Sequence, residues 1–400
     1  MKFVIAFLFV ISTSFVDAQT DSVIIDCDIP GGNINVKKMA NDTIWLEPDL
    51  RDTEGYWFYW NFRIRGMAGR KFVFQFPDKP VFSRMGPAYS INNKDTWKWL
   101  GEKSYTDSSF IFEFSSRDSI AYFSMGFPYT SENFEQFKDN FLSKRENVRI
   151  DTLAYSRKGR PVEEVYLSPG REAEHRVLIS ARNHACEMMG SYVLEGIIKS
   201  VLEHNSLGYL RDYVEFRIIP FVDKDGVEDG DQGKNRLPRD HNRDYDENSI
   251  YPEIQSLMAS VPEWSDHKLR INIDLHNPYI RGIDSDAEYI FIVGSEKEAQ
   301  ESQELKFSSI LESNNTGELK YYSSNFMKFG DAWNKPSNTT KGQGNSKWGW
   351  TIPGIKLSTT IEFPYSYVSG IAVTKDNARI FGEAIALSIQ EYLLSIDSNP

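Results

Sequence analysis

Residues 176–187 read Arg-Val-Leu-Ile-Ser-Ala-Arg-Asn-His-Ala-Cys-Glu, an apolar run of strand length that ends in a polar turn. After Glu187, apolar residues recur at helical spacing as far as Glu203, which predicts an amphipathic helix. His184 and Glu187 are three residues apart at this junction, so both side chains can reach one cation. Alone, the pair is a weak signal, because the same residues are common at ordinary helix starts.

Length and charge limit the possible functions. A chain of 400 residues can form two domains, and its net charge of -12 argues against nucleic acid or an anionic membrane as the main partner. The only two cysteines, Cys27 and Cys186, exclude a disulfide scaffold. Cys186 lies between His184 and Glu187, where we expect a buried side chain rather than a soft metal ligand.

Residues 1–18 resemble an export signal. Lys2 precedes the apolar residues 3–11, and the small residue Ala18 allows cleavage before Gln19. The apolar stretch is shorter than the ~20 residues that a membrane span needs, so we predict a secreted or periplasmic protein without a membrane span.

Residues 22–135 predict an all-β sandwich domain. Aromatic-rich runs of strand length are separated by turns of Gly, Pro, Asn and Asp. The clearest predicted strands are 57–65, 71–76, 109–114 and 120–124. Their aromatic residues are expected to form a core rather than a ligand-binding platform.

Residues 136–400 predict an α/β catalytic domain, with a mixed, mostly parallel sheet covered by helices on both faces. The predicted strands are 149–155, 164–167, 176–181, 213–222, 269–275, 289–293 and 355–363, and the predicted helices are 187–203, 295–311 and 376–394. Such sheets bind ligands at the carboxyl ends of their strands, where all the polar clusters of this region fall.

Two further residues follow predicted strands. His276 completes a set of two histidines and one glutamate with His184 and Glu187, which leaves one position on a zinc ion for water. Glu362 lies between Ile361 and Phe363, so we expect poor solvation, a raised pKa and a role as general base. Taken singly, each residue would more often be structural.

The segment from Arg236 to Arg243 contains three arginines and one asparagine within eight residues. It is either a solvated charged loop or a site for a carboxylate and an oxyanion, which the planar guanidinium group matches.

The order of these motifs resembles the zinc metallocarboxypeptidase family (M14-type), over roughly residues 130–397. Residues 57–62 and 127–130 also resemble the β-sandwich of the cytosolic-carboxypeptidase branch. The export signal departs from that branch, so its tubulin-like substrates are not carried over.

The resemblance implies these roles: His184, Glu187 and His276 as zinc ligands, Glu362 as general base, Asn242 and Arg243 as carboxylate ligands, Asp240 as hydrogen-bond partner of His184, and Arg236, or alternatively Arg239, facing the oxyanion.

Two positions concern specificity. Lys347 aligns with the floor of the family's pocket for the terminal side chain, which would favour Glu or Asp at the substrate's C-terminus; alternatively, it is a solvated loop lysine. Thr340 stands where digestive members have a mobile tyrosine.

We therefore expect a secreted carboxypeptidase with one Zn²⁺ per chain that acts on peptides with a free C-terminal carboxylate. A zinc amidase acting on cell-wall peptides and a non-catalytic binding protein are the alternatives. The sequence leaves the oligomeric state open.

Overall fold

The computed structural model describes residues 22–280, 288–338 and 342–397. The predicted export signal and Thr340 lie outside these ranges. Within them, no helix combines the length and the apolar character needed to cross a bilayer.

The N-terminal region forms two sheets. Its strands are β1 (Ile24–Asp26), β2 (Asn35–Ala40), β3 (Thr43–Glu47), β4 (Asn61–Arg65), β5 (Lys71–Gln75), β6 (Ala88–Ile91), β7 (Lys98–Trp99), β8 (Ser109–Glu113) and β9 (Ile120–Ser124). The strand orders are β1-β4-β9-β6-β7 and β2-β3-β5-β8, and all neighbours are antiparallel except the parallel pair β3–β5.

Phenylalanines from the two sheets meet in one buried layer. Phe74 on β5 stacks on Phe110 of β8, with ring centroids 4.6 Å apart, and lies 5.2 Å from Phe123 of β9 in the other sheet. All three side chains are buried. Burying a side chain of this size stabilises the fold by roughly 1.5–3 kcal/mol, so this layer joins the sheets as the aromatic pattern predicts.

The predicted strand 57–65 begins only at Asn61. Tyr59 is not part of a sheet ladder, because its N–H donates to the Gln232 side chain (2.7 Å) and its C=O accepts from the same amide (2.8 Å). Tertiary contacts therefore replace strand pairing at this point.

The C-terminal region alternates strands and helices. Its strands are β10 (Val148–Tyr155), β11 (Pro161–Leu167), β12 (His175–Ala181), β13 (Val214–Ile219), β14 (Leu269–His276), β15 (Phe291–Val293), β16 (Leu357–Glu362), β17 (Tyr367–Val368) and β18 (Ile371–Ala372). Its helices are α1 (Ser131–Asn140), α2 (Met189–Glu203), α3 (Gly208–Tyr213), α4 (Lys224–Asp229), α5 (Pro252–Ser265), α6 (Glu298–Asn314), α7 (Asn345–Gly349) and α8 (Lys375–Asp397).

Seven of these strands form one mixed sheet in the order β10-β11-β13-β12-β14-β16-β15. The pairs β12–β13, β12–β14 and β14–β16 are parallel, and the other three pairs are antiparallel. The mixed sheet is as predicted, but only its centre is parallel, so the expectation of a mostly parallel sheet needs this correction.

Both faces of the sheet are covered. Val177 and Ile179 of β12 belong to the core that includes α2 and α8, whereas Leu178 belongs to a second core with Ile254 and Leu257 of α5. Helix α5 was not predicted from the sequence.

The parallel centre positions the chemistry. His184 follows β12, while His276 and Glu362 end the adjacent strands β14 and β16, where they are direct register partners. Since parallel strands end at the same edge, these side chains are brought together there.

Candidate active site

A buried arginine holds the turn between β12 and α2. Arg182 has a left-handed backbone (φ +62°), and its guanidinium donates to the carbonyls of Ala185 (3.0 Å) and Tyr129 (2.7 Å). Helix α2 begins at Met189, two residues later than predicted, so His184 and Glu187 both lie in the turn.

The three predicted metal ligands converge. Glu187 Oε1 lies 3.0 Å from His184 Nδ1, Glu187 Oε2 lies 2.7 Å from His276 Nδ1, and the two Nδ1 atoms are 3.1 Å apart. All three side chains are buried, and one potential ligand atom from each lies within 4.8 Å of the others. Two imidazoles and one carboxylate aimed at one point fit a catalytic zinc ion, which takes three protein ligands.

The outer nitrogen of each histidine faces a carboxylate. His276 Nε2 lies 2.6 Å from Asp274 Oδ2, which is a hydrogen-bond distance. His184 Nε2 lies 3.6 Å from Asp240 Oδ1, which is close enough for an ion pair but too far for a hydrogen bond. Such outer carboxylates fix the tautomer that leaves Nδ1 free to bind metal. Sequence reasoning named Asp240 but missed Asp274, although a residue two before His276 on a strand shares its face.

Glu362 is 4% exposed and lies beside His276. Burial raises its pKa to about 7, although His276 and Lys234 favour the ionised form. Within the described residues its Oε2 atom has no hydrogen-bond partner. A poorly solvated carboxylate with a free oxygen is suited to accept a proton near neutral pH.

These groups border a cavity of about 380 Å³. Its lining includes most of the predicted site residues: His184, Asp240, Asn242, Arg243, His276, Lys347 and Glu362. Trp57 from the N-terminal region and Tyr279 close one side, with ring centroids 5.4 Å apart.

Arg243 lies in the cavity on the short 3₁₀ turn His241–Arg243. Its guanidinium donates to Asn242 O (2.8 Å) and Asn338 Oδ1 (3.1 Å), and its charge interacts with the Asp240 carboxylate without a direct ion pair. The Asn242 amide oxygen accepts from the N–H of Asn345 (2.9 Å), which ties the turn to α7. Since both hydrogen-bond acceptors are neutral amide oxygens, the guanidinium can still pair with a ligand carboxylate.

Lys347 lies on α7 and is exposed, yet it lines both this cavity and an adjoining one of about 240 Å³. Ser346, Asn334 and Val293 border the same two cavities. The lysine is thus both solvated and next to the site, between the two alternatives predicted from the sequence.

The structure does not bring Arg236 to the cavity. Its nitrogens form ion pairs with Asp223 (2.7 Å), Asp231 (2.7 Å) and Asp52 (2.8 Å), so three carboxylates surround the guanidinium. Arg239 likewise pairs with Asp244 (3.1 Å) and Asp246 (3.0 Å). The expected oxyanion role of either arginine conflicts with these surroundings.

Lys234 and Cys186 lie next to the three predicted metal ligands, which we call the metal set. Lys234, which sequence reasoning passed over, lines the cavity and places Nζ 2.8 Å from Glu187 Oε1. Cys186 is buried with Sγ 3.7 Å from the Tyr365 hydroxyl, and burial raises the pKa of its thiol to about 12. A neutral thiol outside the cavity lining agrees with the expected bystander role.

A family model described as zinc carboxypeptidase (Peptidase_M14) matches residues 134–304. Human cytosolic carboxypeptidase 6 is 30% identical over 184 residues, which are 42% of this chain and 36% of that protein. Bovine cytosolic carboxypeptidase 3 is 23% identical over 274 residues, 58% of this chain and 26% of that protein. This chain therefore matches only about a quarter to a third of the length of these relatives.

Two solved structures share the fold over nearly the whole chain. The metallo-carboxypeptidase from Burkholderia cenocepacia has a TM-score of 0.73 at 18% identity and covers 94% of this chain and 100% of its own. That from Pseudomonas aeruginosa, solved with (2-guanidinoethylmercapto)succinic acid, has a TM-score of 0.73 at 17% identity and covers 94% and 99%. The matched segment contains all three converging donors, whereas Glu362 lies beyond it. Residues 134–304 therefore form a zinc carboxypeptidase domain of the Peptidase_M14 family, whose metal is zinc.

Proposed function

We propose that this protein is a zinc carboxypeptidase that removes the last residue from peptides with a free C-terminal carboxylate. The observation that carries this proposal is Arg243, which lines the same cavity as the His184–Glu187–His276 set and Glu362. An arginine whose hydrogen bonds among the described residues go to neutral amide oxygens can bind a terminal carboxylate in a two-to-two arrangement.

The metal ligands, Glu362 and Arg243 have separate roles in the proposed hydrolysis. Zinc held by His184, Glu187 and His276 would acidify water and polarise the scissile carbonyl. Glu362 accepts a proton from the attacking water and delivers it to the leaving nitrogen, so the new C–O bond replaces the C–N bond. Arg243 holds the terminal carboxylate and thereby places the last peptide bond next to Glu362.

We also propose a preference for acidic C-terminal residues. Lys347 borders the cavity together with the polar side chains of Ser346, Asn334 and Thr360. A cation in a partly enclosed polar pocket favours a glutamate or aspartate side chain over an apolar one. The exposure of Lys347 makes this preference moderate.

A matched set of peptides tests both proposals. The peptides differ only in the last residue (Glu, Lys or Leu), and each is made as the free acid and as the amide. The free acids should be cleaved, with Glu first, while amidation removes the charge that Arg243 binds and should abolish cleavage. Equal rates on acids and amides would instead indicate an amidase.

Two variants sharpen this assay. Glu362→Gln keeps the shape of the side chain but cannot accept the proton, so turnover should fall at least about a hundredfold while zinc stays bound. Lys347→Asp should shift preference from Glu toward Lys. An unchanged profile would place Lys347 outside the side-chain pocket.

We propose further that the protein is exported, on the strength of the charged start and apolar stretch within residues 1–18. Expression of the full chain in a secreting host should yield a product that begins at Gln19, as mass spectrometry or N-terminal sequencing would show. A cytosolic product that retains Met1 would contradict export.

A further inference from the structure

Neither Arg236 nor Arg239 is available to face the oxygen of the scissile carbonyl, since both are paired with carboxylates. We propose that Lys234 is the catalytic cation that donates a hydrogen bond to the carbonyl oxygen of the scissile bond. This inference rests on the proposed carboxypeptidase function and assigns a role that the loop arginines cannot take in this fold.

Lys234 lies where that role requires. Its Nζ atom is 2.8 Å from Glu187 Oε1, and its side chain lines the cavity together with His184, His276 and Glu362. The side chain is 21% exposed, whereas Glu187 beneath it is 0% exposed. The ammonium therefore lies between the buried metal ligands and the open cavity, where it would face a substrate group bound at a metal held by these ligands.

The backbone around Lys234 is fixed by the metal site itself. A Cβ atom on Gly233 (φ +75°) would lie 2.2 Å from the Ala185 nitrogen, so only glycine permits this close approach to the turn that carries His184. The preceding carbonyl, of Gln232, accepts from the N–H of Cys186 (3.2 Å). The loop is thus packed directly on the ligand turn.

The other side of Lys234 is held as well. The N–H of Asn235 donates to Asp240 Oδ2 (3.2 Å), the carboxylate that also faces His184, and the C=O of Asn235 accepts from the N–H of Glu54 (3.0 Å). The N-terminal region therefore helps to position this loop. A lysine held from both sides is a built feature of the site rather than a solvated loop residue.

The ammonium group of Lys234 can stabilise the negative charge that develops on the oxygen of the scissile carbonyl. When water adds to the carbonyl, the carbonyl oxygen gains negative charge, and a positioned charged donor in a poorly solvated site stabilises it. An ammonium has three N–H groups, so Lys234 can keep its contact with Glu187 and still donate to the substrate oxygen.

The competing explanation is that Lys234 only balances the charge of Glu187. The two roles differ in what they change: a transition-state contact alters turnover, whereas a counter-charge alters zinc affinity. Three proteins are compared: Lys234→Met, which removes the charge, Lys234→Arg, which keeps it, and Lys158→Met as a control. Lys158 is an exposed lysine paired with Asp229.

For each protein we would measure zinc affinity, kcat and KM on the best free-acid peptide, and the affinity of a peptide phosphonate that mimics the tetrahedral species. Lys234→Met should lose about 10²–10³-fold in kcat, with KM and zinc affinity changed by less than about threefold. Phosphonate affinity should fall by a factor similar to that of kcat, Lys234→Arg should recover part of both losses, and Lys158→Met should match the wild type.

The results separate the two levels of the proposal. A wild type that holds zinc but cleaves no peptide sinks the proposed function and this assignment with it. An active wild type sinks the assignment alone if Lys234→Met keeps normal kcat and phosphonate affinity, or if its loss of activity is matched by a loss of zinc. Misfolding of Lys234→Met would show in its melting temperature, and Lys234→Arg then decides: a partial loss of kcat and phosphonate affinity with normal zinc affinity supports the assignment, and a loss of zinc affinity overturns it.

Discussion

The core of the N-terminal sheets and the carboxyl edge of the C-terminal sheet are equally buried but chemically opposite. Between the N-terminal sheets lie phenylalanines such as Phe74, Phe110 and Phe123, each at most 1% exposed. At the sheet edge, Glu187, Asp274 and His276 are also at most 1% exposed, yet all three are ionisable. Burial therefore stabilises the first region and is costly in the second.

The buried ionisable side chains mark the part of the fold that serves metal binding and catalysis. Ionisable groups stay buried at the sheet edge because partners from separate elements meet them: Asp274 of β14 accepts from Ser180 of β12 (2.8 Å) and from Asn183 (2.8 Å). Such pairing limits the desolvation penalty but does not by itself add stability. We expect the aromatic layer to govern stability and the sheet edge to govern metal binding and catalysis.

Phe123→Ala tests the aromatic side of this comparison and should have the largest effect. Removing a buried phenylalanine should lower the free energy of unfolding by about 3–5 kcal/mol, while zinc stoichiometry and kcat per folded molecule stay unchanged. Denaturant unfolding and zinc analysis measure both. Ile111→Ala, at a 50% exposed position on β8, is the matched control and should cost far less. A loss of zinc from folded Phe123→Ala would show that the regions are not separable.

Asp274→Asn tests the sheet edge, with a smaller expected effect. It weakens the partner of His276 Nε2, so zinc affinity should fall by about 10–100-fold, measured by competition with a chelating dye. Glu253→Gln is the control, because Glu253 forms the same kind of buried pair with His241 Nε2 (2.7 Å) outside the metal set. Equal losses in both variants would mean that general destabilisation, not metal binding, is being measured.

The residues brought together by strands could be predicted from the sequence. His184, His276 and Glu362 each follow or end an apolar run of strand length, so the alternation of strands and helices predicts that they lie at the same edge of the sheet; the structure shows that their strands are adjacent. The family resemblance from the same motifs is confirmed over residues 134–304.

Side-chain directions within loops could not be predicted in this way. Lys234 and Arg236 are two residues apart, yet only Lys234 lines the cavity, and the backbone of the neighbouring residues Gly233 and Asn235 is left-handed. Helix α5 escaped prediction for a different reason: Pro262 lies inside it, and proline normally argues against a helix interior. Loop directions leave no periodic pattern, whereas in α5 Ile254, Leu257, Met258 and Val261 do recur at helical spacing.

Glu304 qualifies the comparison, since it is a buried carboxylate on α6 outside the metal set. Its oxygens accept from the N–H (2.7 Å) and hydroxyl (2.5 Å) of Ser295 and from the Trp350 indole (3.3 Å). Burial outweighs these hydrogen bonds and raises the pKa of Glu304 from 4.5 to about 7. If burial of charge alone marked function, this residue would matter for catalysis; we expect it to matter only for stability.

The expected effect of Glu304 is a pH dependence of stability, and it is the smallest of the three. Between pH 4.5 and 7 the folded chain keeps the Glu304 proton while the unfolded chain has released it, so the contribution to stability falls as pH rises. From pH 6 to 7.5 the loss should be about 1 kcal/mol. Glu304→Gln cannot titrate, so the difference in unfolding free energy between wild type and variant should shift by that amount in favour of the variant, while other titrating groups cancel. Urea unfolding at the two pH values measures it. A pH-independent difference would show that Glu304 ionises in the folded protein as it does in water, and a change in kcat would place it in the site after all.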